Sequence, residues 1–538
     1  MRRLIGAAFL IAGLAPGCTQ QRQAAGVPHP GSVLRVASYA EPTSLNPLLI
    51  TNTAENFLAS VIFDLLVTLD DRGNEIPDLA AVVPTLENGG ISKDGLTITY
   101  HLRRNVRWHD GVPFTSADVK FTWQAVMNPR NNVVERHGYD QVGAVDTPDR
   151  YTVVFHLKRR FAPFVDTVFG ESDQPFRIIP QHLLARYPDI NRIAFNQQPI
   201  GTGPFKVVRW VHGDHVQLAA NPQYFRGAPN LRGITVYTVP DGNTASAELR
   251  SRGTDLIIDL SSANYRDLQG VAGVRTLLVK VPGFSSIDFN LTHPPLDDVR
   301  VRRAIAFAIN ERRIVDDLTY GTATLATSDL SDFYWAYDPN VPLYPYDMAK
   351  AGALLDAAGW KRGLNGFRAK NGKPLSLQLS YGQGSETARQ IAVQVQSDLH
   401  GVGIDVPLKS YTYTMLYATK AEGGIQQNGK FDLTLLSWVA GADPDDSSLW
   451  MCSMVPPRGN NITHYCNARF DAAESTALTH VDRAIRKRAY ATTQELLASD
   501  APAAFQYYAR LRYAMSPSLQ NFAPNGPSEG WNAYRWSL

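Results

Sequence analysis

The chain has 538 residues, of which 44% are apolar and 19% are charged, and its formal net charge is +2. This composition is typical of a globular protein with large cores, and the length suggests about three to four domains. A charge so close to neutral gives no indication of a nucleic-acid partner or of a strongly acidic surface as partner.

Residues 1–18 have the pattern of an export signal. Two arginines precede an apolar run over residues 4–15, which as a helix would span only about 18 Å, against about 30 Å for the hydrocarbon core of a bilayer. We therefore predict a secretory signal and no membrane-spanning anchor. The small residue before Cys18 resembles a lipoprotein processing site, so we expect Cys18 to carry lipid and residues 19–31 to form a polar tether. Ordinary cleavage that leaves a free or removed thiol is the alternative.

Apolar periodicity and capping residues place secondary structure along the chain. Thr115 precedes the helix predicted at 116–126, with Asp118 as an acid in its first turn. Strands and helices alternate in the second half, which predicts an α/β lobe. The predicted strands are 33–38, 97–102, 375–380, 404–408, 431–438 and 505–513, and the predicted helices are 53–66, 116–126, one from 297 onward, 347–358, 386–400 and 482–499.

The stretch 431–444 is the most informative part of the sequence. Residues 431–438 are short and almost wholly apolar, which predicts a strand buried on both faces. Residues 439–442 carry almost no side chain, so another molecule could reach their backbone, and Pro444 ends the strand. Central strands of open α/β sheets bind ligands at such ends. The alternative is a core strand that runs into an ordinary surface loop.

The remaining cysteines indicate a disulfide. If Cys18 takes lipid, Cys452 and Cys466 are left, and an even remainder in an exported protein favours a bond between them. Two reduced thiols in a core are the alternative. A zinc site would have only His464 as a nearby additional ligand, whereas a closed site needs four.

Several segments resemble one family. Residues 76–123, IPDLAAVVPTLENGGISKDGLTITYHLRRNVRWHDGVPFTSADVKFTW, closely resemble the signature region of the bacterial extracellular solute-binding proteins of family 5. Residues 199–205 (PIGTGPF) and 221–227 (NPQYFRG) are similar to its middle segment, and 289–302 to its domain crossover. The strand end at Asp443 and the two late cysteines are similar to the dipeptide-binding members, which carry a disulfide there.

The resemblance implies an α/β, two-lobed periplasmic-binding-protein-like fold (class II, type 2) with an inserted extra domain. Two crossing strands would join the lobes around a cleft, which would close about hinges near 281 and 504. We expect lobe I at 32–75, 198–281 and 505–538, the inserted domain at 76–197, and lobe II at 282–504.

The resemblance also implies a function, namely an extracytoplasmic receptor that binds peptides in its cleft and delivers them to the permease of an ABC importer. We expect a monomer in the periplasm or at the cell surface, attached to the membrane only through lipid, with no cofactor, no metal and no nucleic acid. The same role for a glycan, an opine-like compound or a nickel chelate is the alternative. An exported hydrolase is a more distant one, because the sequence lacks the G-x-S-x-G and H-E-x-x-H motifs, and a purely structural or adhesive lipoprotein is the third class.

Two backbone edges are expected to face each other across the cleft. In peptide-binding relatives an extended peptide adds to such edges as a strand, so main-chain hydrogen bonds give affinity without regard to side chains. Trp438 would cover a side-chain pocket, unless it is a core residue without ligand contact. The edges are Glu41, Pro42 and Thr43 on one side and Trp438, Val439, Ala440 and Gly441 on the other.

The chain departs from its relatives at one cleft position. Oligopeptide and dipeptide receptors of the family place an aspartate shortly after the cleft tryptophan, where it pairs with the α-ammonium of the peptide. Here that place holds Gly441, or Ala440 if one residue is deleted. Because an unpaired buried ammonium costs several kcal/mol, either another acid serves or the ligand has no free ammonium there. Asp443 and Asp288 are the candidate acids, although each could equally be a helix cap or part of a solvated turn.

Overall fold

The structure, a computed structural model, describes residues 32–50 and 52–538. The predicted export signal, the tether and Cys18 lie outside the described residues. Within these ranges, no helix combines the length and the apolar character that crossing a bilayer requires.

The strands of the described chain are numbered β1 to β21 in chain order. The first eleven are β1 Val33–Ser38, β2 Val67–Leu69, β3 Glu75–Pro77, β4 Thr97–His101, β5 Val142–Asp149, β6 Thr152–Leu157, β7 Phe205–Val211, β8 His215–Ala220, β9 Gly233–Thr238, β10 Leu256–Ile257 and β11 Arg275–Lys280. The others are β12 Gly283–Phe289, β13 Thr324–Leu325, β14 Lys361–Arg362, β15 Arg368–Lys370, β16 Lys373–Pro374, β17 Leu379–Gly382, β18 Leu408–Tyr411, β19 Leu433–Val439, β20 Ala503–Tyr508 and β21 Arg510–Met515.

The α-helices are numbered in the same way. They are α1 Thr53–Ile62, α2 Ser116–Met127, α3 Phe164–Thr167, α4 Gln181–Leu184, α5 Gly242–Arg250, α6 Ser262–Leu268, α7 Val299–Ala308, α8 Glu311–Arg313, α9 Met348–Ala357, α10 Glu386–Gly401, α11 Tyr413–Tyr417, α12 Ser447–Trp450, α13 Ala468–Thr479 and α14 Arg483–Asp500. Side-chain caps start many of them, as Asp298 does for α7 and Asp482 for α14.

Lobe I is built on a seven-stranded sheet with the order β11-β21-β10-β1-β9-β8-β7. The central strand β1 pairs in parallel with β9 and β10, and the outer pairs are antiparallel. The carboxyl ends of β1, β9 and β10 therefore lie along one edge of the sheet. Helix α6, which follows β10, begins at that edge.

Lobe II is built on a six-stranded sheet with the order β13-β20-β12-β19-β17-β18. Strands β17, β18 and β19 run parallel, while β12 is antiparallel to β19 and to β20. The carboxyl ends of the parallel strands therefore meet at one edge, beside the start of β12. Strands β17 and β18 begin four residues later than predicted, because the preceding residues, although buried at Leu375 and Leu377, have no continuous ladder partner.

The chain passes between the lobes twice. The first crossing is at Val281 and Pro282, between β11 and β12, and the second is at Ala509, between β20 and β21. The single return strand predicted at 505–513 is thus two strands, and its first half pairs with β12 in lobe II. The second crossing lies a few residues after the boundary predicted at 504. The sequence did not reveal its position, because the apolar alternation continues through both strands. The domain boundaries as a whole stay predictions.

The segment between β3 and β7 forms a small subdomain around the antiparallel sheet β4-β6-β5 and helix α2. Thr115 and Asp118 form the predicted capping box of α2. Its core is continuous with that of lobe I, since Tyr100 and Phe155 belong to the same buried cluster as Leu34. This subdomain therefore packs with lobe I as one unit.

A disulfide links two segments of lobe II. The sulfur atoms of Cys452 and Cys466 are bonded at 2.17 Å. The bond closes a loop that contains Arg458, Gly459 and Asn460, which reach the edge of the cleft.

Candidate ligand-binding site

The carboxyl ends of the parallel strands of lobe II and the segment after β10 in lobe I border one cavity. It has a volume of about 440 Å³, and we call it the hydroxyl cavity. Lobe I supplies Ser261, Ser262, Ala509 and Arg512, and lobe II supplies Ser285, Ser286, Thr319, Thr322, Ala323, Gly382, Gln383, Ser385, Thr387, Ala388, Ile391, Tyr413, Tyr417, Leu435, Leu436, Ser437, Gln506 and Tyr507. Open α/β sheets place ligands at such strand ends.

Neutral polar groups dominate the hydroxyl cavity. The hydroxyls of Ser262 and Thr322 are 2.8 Å apart and join the two lobes across it. Gln506 is only 1% exposed, and its Nε2 has no hydrogen-bond partner among the described residues. The Arg512 guanidinium donates to the carbonyls of Leu260 and Arg510, and burial lowers its pKa. The described lining residues include no carboxylate.

A second cavity lies where the inserted subdomain meets lobe II. It has a volume of about 220 Å³, and we call it the acidic cavity. The subdomain supplies Glu135, His137, Asp166, Thr167, Ser172 and Asp173, and lobe II supplies Trp438, Ala440, Gly441, Ala442, Asp443, Asp445, Ser448, Arg458, Gly459 and Asn460. Successive residues of a strand point to opposite faces, so Ser437 borders the hydroxyl cavity and Trp438 the acidic cavity.

Direct contacts close the acidic cavity. The Ala442 N–H donates to the carbonyl of Glu171 at 2.7 Å. His137 Nε2 lies 3.1 Å from a carboxylate oxygen of Asp445. Gly441 permits this approach, because a Cβ atom there would lie 2.9 Å from the backbone nitrogen of Asp173. The structure is therefore closed on this side of the cleft.

Burial and neighbouring charges shift the pKa values of the side chains that line the acidic cavity. Burial raises the pKa of Glu135 to about 8, with the nearby charge of Asp173 adding to the shift. Burial alone would lower the pKa of His137, but its contact with Asp445 and the nearby carboxyls raise it to about 9. Burial alone would raise the pKa of Asp445, but its contact with His137 and its hydrogen bonds with Ser447 together lower it.

The side chains of the predicted lobe I edge are used within lobe I. The Glu41 carboxylate accepts hydrogen bonds from the Gly213 N–H at 3.0 Å and from Trp210 Nε1 at 3.1 Å, and these bonds lower its pKa. The Thr43 N–H and hydroxyl both donate to Glu55, at 2.6 and 2.7 Å. Thr43 lines an open depression of about 600 Å³ beside the inserted subdomain. The structure does not bring Glu41 or Thr43 into the cavity that Trp438 borders.

The predicted lobe II edge does lie at the cleft. Val439 is 66% exposed, and Trp438 is half-buried against the core of lobe II. The Ala440 N–H donates to the Pro282 carbonyl at 3.4 Å, and the Gly441 carbonyl accepts from the Tyr334 hydroxyl at 3.0 Å. Val439 pairs with Gly283 of β12, so part of this edge already has partners. The opposite side of β19 has no β17 partner after Thr434 within the described residues.

The two candidate acids have other partners. Asp443 lines the acidic cavity, but its oxygens accept from Arg486 Nη2 at 2.6 and 2.7 Å. Asp288 is 2% exposed in the middle of β12, where it accepts from the Ser286 hydroxyl at 2.6 Å, and burial raises its pKa to about 7. It borders neither cavity.

Sequence reasoning missed the acids that do face the cleft. Glu135 and Asp173 lie in loops of the inserted subdomain without a recognisable motif. Asp445 is two residues from Asp443, and its place in the strand-ending loop was an available signal. Over 32–50 and 52–538, no group of three His, Cys, Asp or Glu side chains is arranged to hold a metal ion.

Comparisons with known proteins agree with this geometry. Residues 76–457 match the profile of the bacterial extracellular solute-binding proteins, family 5. Oligopeptide-binding protein AppA of Bacillus subtilis is 28% identical over 96% of this chain and 93% of its own, and protein XP55 of Streptomyces lividans is 31% identical over 87% and 81%.

Solved structures extend the agreement to the fold. NikZ from Campylobacter jejuni, in complex with Ni(L-His), has a TM-score of 0.78 at 26% identity and covers 95% of this chain and 100% of its own. AppA from Bacillus subtilis, in complex with a nonapeptide, has a TM-score of 0.76 at 27% identity with the same coverage. The sequence match and the two-lobed architecture lead to one conclusion: this chain belongs to the bacterial extracellular solute-binding proteins of family 5.

Proposed function

We propose that this receptor binds peptides in the cleft between its lobes and delivers them to the permease of an ABC importer. The observation that carries the proposal is the hydroxyl cavity, which spans both lobes and is bordered by β19 at Leu435, Leu436 and Ser437. Beyond Thr434, β19 has no ladder partner on its β17 side within the described residues. Hydroxyl and amide groups can hydrogen-bond a peptide backbone of any sequence, and the strand end can extend a ladder to it. Relatives named for oligopeptide and dipeptide binding support the same ligand class.

A small glycan is the second candidate ligand. The serine, threonine and tyrosine hydroxyls of the hydroxyl cavity could equally bind sugar hydroxyls, and aromatic faces such as Tyr413 could pack on a sugar ring. The edge of β19 that lacks a β17 partner after Thr434 favours the peptide, since a strand can extend its hydrogen-bond ladder to a peptide backbone but not to a glycan.

We also propose that the chain is exported and anchored to the membrane through lipid. The basic and apolar start of the chain and its Cys18 support a processed lipoprotein. The bonded sulfur atoms of Cys452 and Cys466 support an oxidised compartment. Mass spectrometry of the mature N-terminal peptide, with Cys18→Ser as control, tests the lipid, and peptide mapping without reductant tests the disulfide. The role is that of a monomeric receptor, and we propose no catalytic activity, in keeping with a family of solute receptors rather than of enzymes.

A ligand screen tests the proposed function. The purified chain is unfolded, washed free of ligand and refolded, and its melting temperature is measured with peptides of three to nine residues, oligosaccharides and Ni(L-His). A ligand that binds only the native state raises the melting temperature, so we expect a rise with peptides. The Ser437→Trp variant, which fills the hydroxyl cavity, should not respond. The proposal would be contradicted if only sugars raised the melting temperature, or if no peptide raised it at any concentration.

A further inference from the structure

The acidic cavity adjoins the same strand end as the hydroxyl cavity but has a different chemistry. Its volume of about 220 Å³ is enough for several waters or for one terminal group of a ligand. Trp438 forms its apolar wall, and the neighbouring Ser437 lines the hydroxyl cavity, so β19 borders both spaces. A ligand bound along β19 could therefore place one group in this cavity.

Two ion pairs balance part of the charge around the acidic cavity, which Asp166 and Arg458 also line. Asp445 pairs with His137 at 3.1 Å, and Asp443 pairs with Arg486 at 2.6 Å. Glu135 and Asp173, in contrast, line the cavity together, and the proximity of Asp173 contributes to the raised pKa of Glu135. None of the ion pairs found within 32–50 and 52–538 includes either of them.

Two carboxyl groups in contact can share a proton, but they cannot both ionise cheaply away from water. The raised pKa of Glu135 expresses this conflict. A bound cation would remove it, because both groups could then ionise and accept charge-assisted hydrogen bonds. The five carboxyls that line the cavity outnumber its two basic side chains, His137 and Arg458, so the cavity favours a further cation.

A third acceptor lies beside the pair. Ser172 is 7% exposed, lines the acidic cavity, and its hydroxyl has no hydrogen-bond partner among the described residues. A buried hydroxyl without a partner is costly, and such groups often mark the position of an unseen ligand. A primary ammonium has three N–H donors, which matches two carboxylates and one hydroxyl.

Resting on the proposed function, we propose that Glu135 and Asp173, together with the Ser172 hydroxyl, bind a primary ammonium group of the ligand in the acidic cavity. The inserted subdomain, and not the loop that follows Trp438, then supplies the anionic groups. The ammonium can come from the N-terminus of a peptide or from a lysine side chain, since both present the same three donors.

Calorimetric titration with matched peptides tests the proposal. The ligand is a peptide that binds in the screen and starts with alanine, compared with its N-acetylated form and with an N-acetylated form in which lysine replaces the first alanine. The variants are Glu135→Gln, Asp173→Asn and the double variant, with the exposed Asp140→Asn as control on the same subdomain. Melting curves establish that each variant is folded.

We expect acetylation to weaken binding of the alanyl peptide at least about 50-fold, which corresponds to roughly 2.3 kcal/mol. The double variant should lose affinity for the free peptide to a similar extent and bind the acetylated alanyl peptide within about 3-fold of the wild type. Tight binding of the acetylated lysyl peptide would identify a side-chain ammonium as a second source. Equal affinity for the free and both acetylated peptides would overturn the ammonium site while leaving the proposed function intact, whereas failure of every peptide to bind would overturn both.

Discussion

The hydroxyl cavity and the acidic cavity lie on opposite faces of one strand end, yet they offer opposite chemistry. Ser437 borders a space lined by neutral donors and one guanidinium, whereas Trp438 borders a space lined by carboxyls. The difference arises from the neighbours, since the hydroxyl cavity is completed by lobe I near the crossings and the acidic cavity by the inserted subdomain. One strand can therefore present a ligand with two environments through its alternation alone.

The largest expected effect concerns the charge balance behind the acidic cavity. Arg486→Met leaves the Asp443 carboxylate buried without a cation, which should lower the free energy of unfolding by about 3–5 kcal/mol. Chemical denaturation measures it. Arg488→Met on the exposed face of α14 is the control and should cost little. Equal losses in the two variants would show that the pair does not stabilise this wall.

Filling the hydroxyl cavity should remove binding while sparing the fold. Ser437 is exposed and lines this cavity, so Ser437→Trp puts an indole where the ligand would lie. We expect peptide affinity to fall at least about 100-fold, or roughly 2.7 kcal/mol. Ser437→Ala removes the hydroxyl without adding bulk and should stay within about 5-fold of the wild type. Undiminished binding by the tryptophan variant would place the ligand elsewhere.

Asp288 should affect stability and not binding. Its folded pKa of about 7 lies above its unfolded value, so the stability it contributes is present at low pH and is lost as the pH rises through 7. Asp288→Asn keeps an acceptor for Ser286 but does not titrate. We expect the loss of stability from pH 5 to pH 7 to be smaller in the variant by about 2 kcal/mol.

Denaturation at the two pH values tests the Asp288 effect, with the exposed Asp146→Asn as control. Peptide affinity should be unchanged, because Asp288 borders neither cavity. If peptide affinity fell in Asp288→Asn but not in Asp146→Asn, Asp288 would have to contribute to ligand binding.

The smallest expected effect distinguishes the two ends of a peptide. The hydroxyl cavity is lined mainly by neutral polar groups, and the Arg512 guanidinium already donates to two carbonyls. Converting the C-terminal carboxylate of the peptide to an amide should therefore change affinity by less than about 5-fold, far less than acetylation of the amine. A larger loss of affinity on amidation than on acetylation would contradict the proposal that the main charged contact of the peptide is its ammonium in the acidic cavity.

Local pattern predicted the elements well where local forces decide them. The structure has β1 at Val33–Ser38, as the alternation predicts, and the capping box at Thr115 starts α2. The small residues before Pro444 predicted that this strand ends at a loop with few side-chain atoms. Strand 505–513 was predicted too long, because no local feature distinguishes Ala509 as the point where the chain leaves one sheet for another.

The site was harder to predict because tertiary contacts assemble it. Glu135 and Asp173 are far apart in sequence and come together only when the subdomain folds. Thr43 was expected to lie on a backbone edge facing the cleft, but its N–H donates to Glu55, which also caps α1. The hydroxyl cavity draws single serines and threonines from many segments, and no spacing rule groups such residues.

The order of strands in lobe I bears on how the protein is made. Strand β21 lies between β10 and β11, but it follows all of lobe II in the chain. During synthesis, which proceeds from the N-terminus, β10 and β11 are present long before the strand that joins them, while β12 to β20 emerge as an uninterrupted unit. Lobe II can therefore complete its sheet first, and lobe I keeps a gap in its sheet until β21 arrives. The ligand cleft is then the last feature to form, so a nascent receptor cannot retain solute before its chain is nearly finished.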